Sequence, residues 1–396
     1  MGSSPTSGST TFSSTAASPP RSPGRAANPR SSRKRRGLSV TVPSAELTSL
    51  VRDCFGQAGL EAADAESIAS VLVDANLRGH DSHGVGRVPA YLRRVASGAT
   101  GGGERLGEPA GEGPLRRLDA GGALGPLAAM SGTDLATELA ADHGIGLVAV
   151  GNSSHFGAAG LYARRLAERQ LIGLVTTNGP ANMAPHGSSE PFLGTNAFAI
   201  AVPLADGEQF VLDASCSITA RGKIIRSREL GQALEPGLAL DRDGKPTEDP
   251  AAALAGVVLP FAGPKGSGIA LAISLAVGVL AGASFDHEAG SMYGADSGPQ
   301  DIGHLFLAID PWRLADQDVV RERIERLIEQ LHGLRPLAGH EGVLYPGERG
   351  ASERRSRLGS GIPLAAEELA AIAAVCDELG YADPAARARS LASEAR

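Results

Sequence analysis

Residues 144–178, GIGLVAVGNSSHFGAAGLYARRLAERQLIGLVTTN, decide the fold. The run GIGLVAVGN is rich in aliphatic and β-branched residues and gives way to a polar stretch, NSSHFG. A segment with helical spacing, GAAGLYARRLAERQ, comes next, and then a second β-rich run, LIGLVTTN. Strand, polar loop, helix and strand in that order predict an α/β region. The pattern continues in NAFAIAVP and QFVLDAS, and HLFLAIDP reads as its last strand. The first junction sets His155 at a helix N-terminus beside Asn152, Ser153 and Ser154. Free backbone N–H groups and the helix dipole favour an anionic ligand there and disfavour a protonated imidazole. A histidine in that position can also serve only as a helix cap.

The flanks read differently. SAELTSLVRDCFGQAG ends on Gly59, and in DAESIASVLVDANLRG the residues Ile68, Val71, Leu72 and Ala75 recur at helical spacing. Beyond the last strand, DVVRERIERLIEQLHG and LAAEELAAIAAVCDELG are again helical. The expected organisation is a helical domain made from both ends, residues 39–115 and 318–396, around an inserted α/β domain over 116–317. Residues 266–285, GSGIALAISLAVGVLAGASF, are uncharged over a length that would span a bilayer. Their Gly and Ser content, the preceding Lys265 and the lack of a second such segment favour a buried helix packed on a sheet, with no membrane partner.

A chain of 396 residues can bury a core without disulfides. Cys54, Cys216 and Cys376 are odd in number and far apart, which points to neither a disulfide framework nor a zinc site and fits a reducing cytoplasm. Net charge is −7, yet residues 1–36 carry +7 and the remainder −14. The Ser-, Pro- and Gly-rich start has almost no large apolar side chain, so residues 1–38 are expected to form a disordered basic tail. No basic helix or interleaved aromatics follow it, and no nucleic-acid partner is expected.

Two stretches carry chemistry. In LRGHDSHGVGR, residues 77–87, His80 and His83 flank Asp81, with Arg78 and Arg87 outside them. This is either a solvated polar turn or a set of donors that holds a small anion and moves a proton; a metal site would need further ligands that the neighbourhood lacks. No G-x-G-x-x-G joins a strand to a helix. GPKGSG, residues 263–268, is Gly-rich, precedes a helix and offers Lys265 to a phosphate. Thr195, Asn196, Asp213, Ser215 and Ser217 suit a ribose or a carboxamide, although strand-end turns use the same residue types.

The ordered set RGHDSHGVGR, NSSHFGAAGLYA, GLVTTN, LGTN, LDASCSITARGK, DRDGKPTEDP, GPKGSGIAL, IGHLFLAIDP and YPGER resembles the malate/L-lactate dehydrogenase family that lacks a Rossmann fold, from about residue 45 onward. The resemblance implies a mixed α+β fold with a non-Rossmann cofactor-binding sheet. It implies NAD- or NADP-dependent hydride transfer on a 2-hydroxy or 2-oxo acid, a small-molecule carboxylate, by a homodimer whose interface completes the active site. Related members reduce cyclic imino acids of the Δ1-piperideine-2-carboxylate type. A catalytically silent ligand-binding protein on the same scaffold is the alternative of another class. By the same resemblance His83 and His155 are the proton-transfer candidates and Arg87 holds the substrate carboxylate. The cofactor would lie against Asn178, Thr195, Asn196, Asp213, Ala214, Ser215, Ser217, Lys265, Gly266 and Gly347–Glu348–Arg349. The chain departs from the family pattern at Ala197, Ser267 and Gly237-Leu238-Ala239.

Reduction of a 2-oxo acid needs a positioned proton donor for the developing oxyanion and a fixed cation for the neighbouring carboxylate. The expectation is His155 as acid and base, His83 orienting the substrate, and Arg87 gripping the carboxylate at two points.

Overall fold

In the computed structural model, which describes residues 39–204, 207–293 and 298–394, the chain opens with β1 (Ser39–Val42), α1 (Ser44–Gln57), α2 (Ala62–Leu77) and α3 (Val88–Ala96). The sheet region follows as β2 (Leu115–Asp119), α4 (Gly125–His143), β3 (Ile145–Ser153), α5 (Ala159–Glu168), β4 (Ile172–Thr177), β5 (Ala197–Pro203) and β6 (Gln209–Ser215). Next come α6 (Arg221–Glu229), the small strands β7 (Ala239–Leu240) and β8 (Pro246–Thr247), α7 (Pro250–Ala255), β9 (Val257–Val258), α8 (Pro264–Ala281) and β10 (Ile302–Ile309). The chain closes with α9 (Gln317–His332), α10 (Glu348–Ser360), β11 (Ile362–Ala365), α11 (Ala366–Leu379) and α12 (Ala382–Ser393). The tail expected over residues 1–38 lies outside the described residues.

The main sheet has the order β2-β3-β10-β4-β5-β6. Only β2 and β3 pair in parallel; every other neighbour is antiparallel. Strand β10 returns between β3 and β4, which α5 connects. A Rossmann sheet is mostly parallel, so this fold is mixed α/β of another kind, in line with the missing glycine fingerprint.

Strand periodicity explains the layers. Along β3, Val148 and Val150 face the core shared with α4 and α5, while Ala149 faces the core shared with α8. Along β10, Phe306 and Ala308 face the first and Leu305 the second. Both faces of the central strands are thus covered, which is why their sequences are apolar almost without interruption. A third core joins the two ends of the chain: β1 pairs antiparallel with β11, and α1, α2, α3, α11 and α12 pack around them. The free thiols of Cys54 and Cys376 meet there at 3.6 Å. Helix α2 serves two cores, with Ile68 and Leu72 in the helical one and Val71 in the sheet one. The described residues form one compact unit.

Three features differ from the sequence reading. Strands β1, β2 and β11 are too short to announce themselves by periodicity and owe their conformation to partners distant in sequence. Helix α8, long and apolar enough to cross a membrane, is not the wholly buried helix expected. It packs on the sheet through Ala270, Ile273, Val277 and Ala281, and leaves Leu271, Leu275 and Val279 exposed. Helix α9 buries none of its residues.

Close approach of α4 to the sheet depends on Gly132. A Cβ there would sit 2.7 Å from the ring of fully buried Phe306 and 3.0 Å from Val150. Gly132→Ala should therefore destabilise the fold by about 1–3 kcal/mol through overpacking, read as a lowered urea midpoint against the parent protein.

Candidate active site

The polar segment after α2 is wound around one buried side chain. Asn76 is inaccessible to solvent; its Nδ2 donates to Asp81 Oδ1 at 3.0 Å, and its Oδ1 accepts the Val85 N–H at 2.8 Å. Gly84 has to be glycine, because a Cβ there would lie 2.1 Å from the Asn76 oxygen. The result is two consecutive 3-10 turns, Asp81–His83 and Val85–Arg87, that run directly into α3. Arg357 of α10 ties the turn from outside, donating to Asn76 O at 2.5 Å and to Asp81 Oδ1 at 2.9 Å.

The winding brings His83 against His155 at the end of β3. The imidazoles stack with centroids 5.7 Å apart and planes 11° apart. Each ring uses Nδ1 within the protein: His83 toward Ser82 Oγ at 3.0 Å, and His155 toward the buried Tyr91 phenol at 2.8 Å. Nε2 of both rings has no protein partner among the described residues. The Tyr91 hydroxyl also lies 3.0 Å from the His155 carbonyl oxygen, and the His155 N–H donates to Gln300 Oε1 at 3.2 Å. Backbone and ring of His155 are therefore fixed from α3 and from the loop before β10.

Burial and nearby cations keep both rings neutral. His83 is pushed down to about 3, first by burial and then by Arg87 and His80. His155 is held well below its ordinary range by burial, Arg87, His83 and His304. Arg87 has no carboxylate partner among the described residues; its Nε donates to Ser82 O at 2.7 Å and its Nη1 to the Tyr293 hydroxyl. A cation without a counter-ion beside two neutral imidazoles is electrostatically arranged for a small anion that also exchanges a proton.

A cavity of about 440 Å³ opens next to this cluster, between the end of α2, the start of α5, β6 and the start of α10. Arg78, His80, Arg164, Asp213, Gly347 and Arg349 are among its lining residues. The Asp213 carboxyl is raised by burial, against the pull of His80, whose Nδ1 lies 3.9 Å away. Gly160 and Gly347 keep the walls thin: a Cβ on the first would meet Asp213 Oδ2 at 2.7 Å, and on the second the Val211 nitrogen at 2.9 Å. Arg164 is nearly buried and pairs with Asp74, and its Nε, with no hydrogen-bond acceptor among the described residues, lies 3.5 Å from Glu168 Oε1. Guanidinium groups, a carboxyl and bare backbone in one cleft fit a nucleotide with ribose hydroxyls and phosphates.

The residues singled out in the sequence fall into two groups. Asp213, Gly347 and Arg349 line the cavity, with Ala214, Ser215 and Ser217 continuing from β6 toward α8. Ser215 and Ser217 hydroxyls lie 3.1 Å apart. Others also make bonds that hold the fold. Asn178 bonds Ser284 O and the Gly303 N–H, and Asn196 bonds Ala270 O and Asp286. Thr195 O accepts the Cys216 N–H, and Glu348 caps the turn before α10 through the Tyr345 N–H while meeting His332 at 3.0 Å. Lys265 and Gly266 lie in the first turn of α8 rather than in a loop before it; Gly266 passes so near Phe261 and Cys216 that a Cβ would lie 2.5 Å from the Phe261 oxygen. Ser267, one of the departures, accepts the His186 N–H. Sequence reasoning passed over Asn76, Gln300, Arg357 and Tyr293, because each acts across a distance in sequence that no local pattern records.

These features define a nicotinamide-dependent oxidoreductase of 2-hydroxy and 2-oxo acids on a non-Rossmann scaffold. The malate/L-lactate dehydrogenase family profile matches residues 42–373. (2R)-3-sulfolactate dehydrogenase (NADP(+)) of Chromohalobacter salexigens is 35% identical over 86% of this chain and 98% of its own. Delta(1)-pyrroline-2-carboxylate reductase of Ancylobacter novellus is 35% identical over 82% and 95%. Among solved structures, sulfolactate dehydrogenase of Methanocaldococcus jannaschii superposes with a TM-score of 0.77 at 32% identity, covering 86% of this chain and 97% of that one. The chain belongs to the malate/L-lactate dehydrogenase family.

The histidines give the fold a pH signature. His83, His155 and His304 all sit below the value of about 6.5 they regain on unfolding. Their contribution is complete above that value and is lost as pH falls from it toward the folded values, because the unfolded chain then binds protons the native one refuses. Urea midpoints should be level above about pH 7 and decline steadily between about pH 6.5 and 4.

Proposed function

We propose that His155 is the group that exchanges a proton with the substrate oxygen, that His83 orients the substrate, and that Arg87 grips its carboxylate. The observation that carries this reading is the pair of neutral, stacked imidazoles beside an arginine that lacks an acidic partner. In hydroxy-acid oxidation, a neutral imidazole is the form able to accept the hydroxyl proton. In the reverse direction, a substrate carboxylate paired with Arg87 cancels one of the two main causes that hold His155 down. Substrate binding thereby raises the proton affinity of the residue that must deliver a proton. Tyr91 and Gln300 keep the ring and backbone of His155 aimed while this happens.

The cofactor cleft is assigned to the cavity around Asp213, with Ala214, Ser215, Ser217, Gly347 and Arg349 as contacts and Lys265 and Gly266 at the α8 end. NAD or NADP supplies the hydride when bound; the cleft residues hold ribose and phosphate. We place the enzyme in the cytoplasm and divide it at residues 116 and 317, with the sheet domain inserted in the helical one. The similarity to a pyrroline-2-carboxylate reductase supports testing cyclic imino acids beside open-chain 2-oxo acids, since both present a carboxylate next to a reducible C=O or C=N carbon.

Following NADH and NADPH absorbance with such a panel tests the assignment. His155→Ala should lower kcat by roughly 10²- to 10⁴-fold, and Arg87→Met should lower kcat/KM by roughly 10- to 150-fold with Arg87→Lys recovering only part. Arg87→Met should also move the acid limb of the oxidation profile upward, since Arg87 depresses both histidines. A His83→Ala enzyme that loses more kcat than the His155→Ala enzyme would reverse the assigned roles.

A homodimer is proposed on separate grounds. An amphipathic helix with nothing buried is not stable alone in water, and α9 is such a helix, with Val319 and Leu327 exposed. Leu271, Leu275 and Val279 of α8 form a second uncovered apolar face. A second copy is the occupant we assign to them. Light scattering should find a dimer, and Leu275→Glu with Leu327→Glu should produce monomers of low activity; a parent protein that is monomeric at micromolar concentration would refute the proposal.

A further inference from the structure

We propose that Tyr293 is the second half of the carboxylate grip, donating its phenolic proton to the same substrate carboxylate that Arg87 pairs with. The inference rests on the reading of Arg87 given above and adds a residue that the sequence analysis did not single out.

The phenol reaches the site because its short loop segment is pinned from several sides. Met292 is buried in the helical core. Arg94 of α3, itself 5% exposed, donates to Ser291 O at 3.3 Å and to Gly298 O at 3.1 Å. The Gly290 N–H donates to Gln300 O at 2.9 Å, and the Gln300 side chain reaches back to the His155 N–H. Locally, Ser291 Oγ accepts the Tyr293 N–H at 3.1 Å and donates to Tyr293 O at 2.8 Å. Arg87 caps the start of α3 and Arg94 lies in its last turn, so one helix positions both the guanidinium and the loop that carries the phenol.

Proton accounting then fixes what the phenol can do. A tyrosine hydroxyl has one proton to donate and lone pairs to accept with. The Arg87 guanidinium can only donate, so in the Arg87–Tyr293 contact the phenol oxygen is the acceptor. The hydroxyl proton has no acceptor among the described residues, and the ring is 54% exposed, beside the open site. Nη2 of Arg87 likewise has no acceptor among the described residues. A carboxylate against the guanidinium edge receives N–H bonds from Arg87 and an O–H bond from Tyr293, a charge-assisted set that a neutral amide or ester in its place does not recruit to the same degree. Tyr293 is thus a substrate-contacting specificity residue that favours a free acid.

Tyr293→Phe removes only the hydroxyl, keeps the ring and leaves the buried loop anchors in place. With whichever 2-oxo acid turns over best, KM should rise about 10-fold or more, in the range of a lost charge-assisted hydrogen bond, while kcat stays within about twofold. Binding of oxamate, an unreactive 2-oxo acid mimic, to the protein with reduced cofactor should weaken by the same factor in calorimetry, with cofactor affinity from fluorescence titration and the thermal midpoint unchanged. Combined with Arg87→Met, the substitution should add less than its effect on the parent, because the two groups serve one carboxylate. An unchanged or lowered KM would overturn the proposal, the lowered value making Tyr293 a plug that substrate displaces. If Arg87→Met itself leaves kcat/KM intact, the grip reading fails first; if Arg87→Met is impaired and Tyr293→Phe is not, only the present inference falls.

Discussion

A single carboxamide, buried at the end of α2, organises the segment that carries His83 and Arg87. Asn76 accepts the Val85 N–H and donates to Asp81, so the backbone must turn twice within the span from His80 to Arg87. That geometry sends His83 toward His155 and starts α3 at Val88, which in turn delivers Tyr91 beneath the His155 ring and Arg94 beneath the Tyr293 loop. Because the amide is inaccessible to water, both of its ends must be satisfied by protein, and the turn supplies both partners.

The electrostatics follow from the same placement. A histidine pair is often poised by a carboxylate that raises the proton affinity of the ring. Here the neighbours are Arg87 and the rings themselves, all of which favour the neutral form. The acids of the turn face elsewhere: Asp81 binds Asn76 and Arg357, and Asp74 gathers Arg78 and Arg164. On the roles proposed above, the negative charge that balances the site comes with the substrate, so that recognition of a carboxylate is coupled to readiness for proton exchange.

Much of this was legible in the chain. The strand–loop–helix–strand run over residues 144–178 located β3, α5 and β4 and put His155 at their junction, and the family resemblance implied a non-Rossmann sheet, with which the missing glycine fingerprint agrees. The motif around His83 and Arg87 carried the family resemblance. What escaped was whatever depends on distant partners. Strands β1 and β11 are each four residues long, below the length at which alternation can be read. The structural bonds of Asn178 and Asn196 to the α8 and β10 regions were not legible either, because the buried amide that latches two elements is the same group that binds a nucleotide. Tyr293 lies in a loop without periodicity, and its contact with Arg87 joins residues 206 apart in sequence. The uncovered side of α8 could not be foreseen either, since an all-apolar helix has no polar face to tell inside from outside.

The pairing of β1 with β11 has a consequence for biosynthesis. Ser39 is hydrogen-bonded in register opposite Ala365, and Arg357, which steadies the His83 turn, precedes that strand in α10. As the chain leaves the ribosome, α1, α2 and the turn emerge first and must wait for almost all of the remaining sequence before their core can close. Closing so long a loop carries an entropic cost and slows folding. The sheet has a shorter wait: β3 and β4 acquire β10 between them once residue 309 is made. The sheet thus depends on contacts that are shorter in sequence than those of the helical core, which joins the two ends of the chain. A chain cut short before α11 would retain the strands of the main sheet and the ring of His155 while lacking part of the helical core against which the segment of His83 and Arg87 packs.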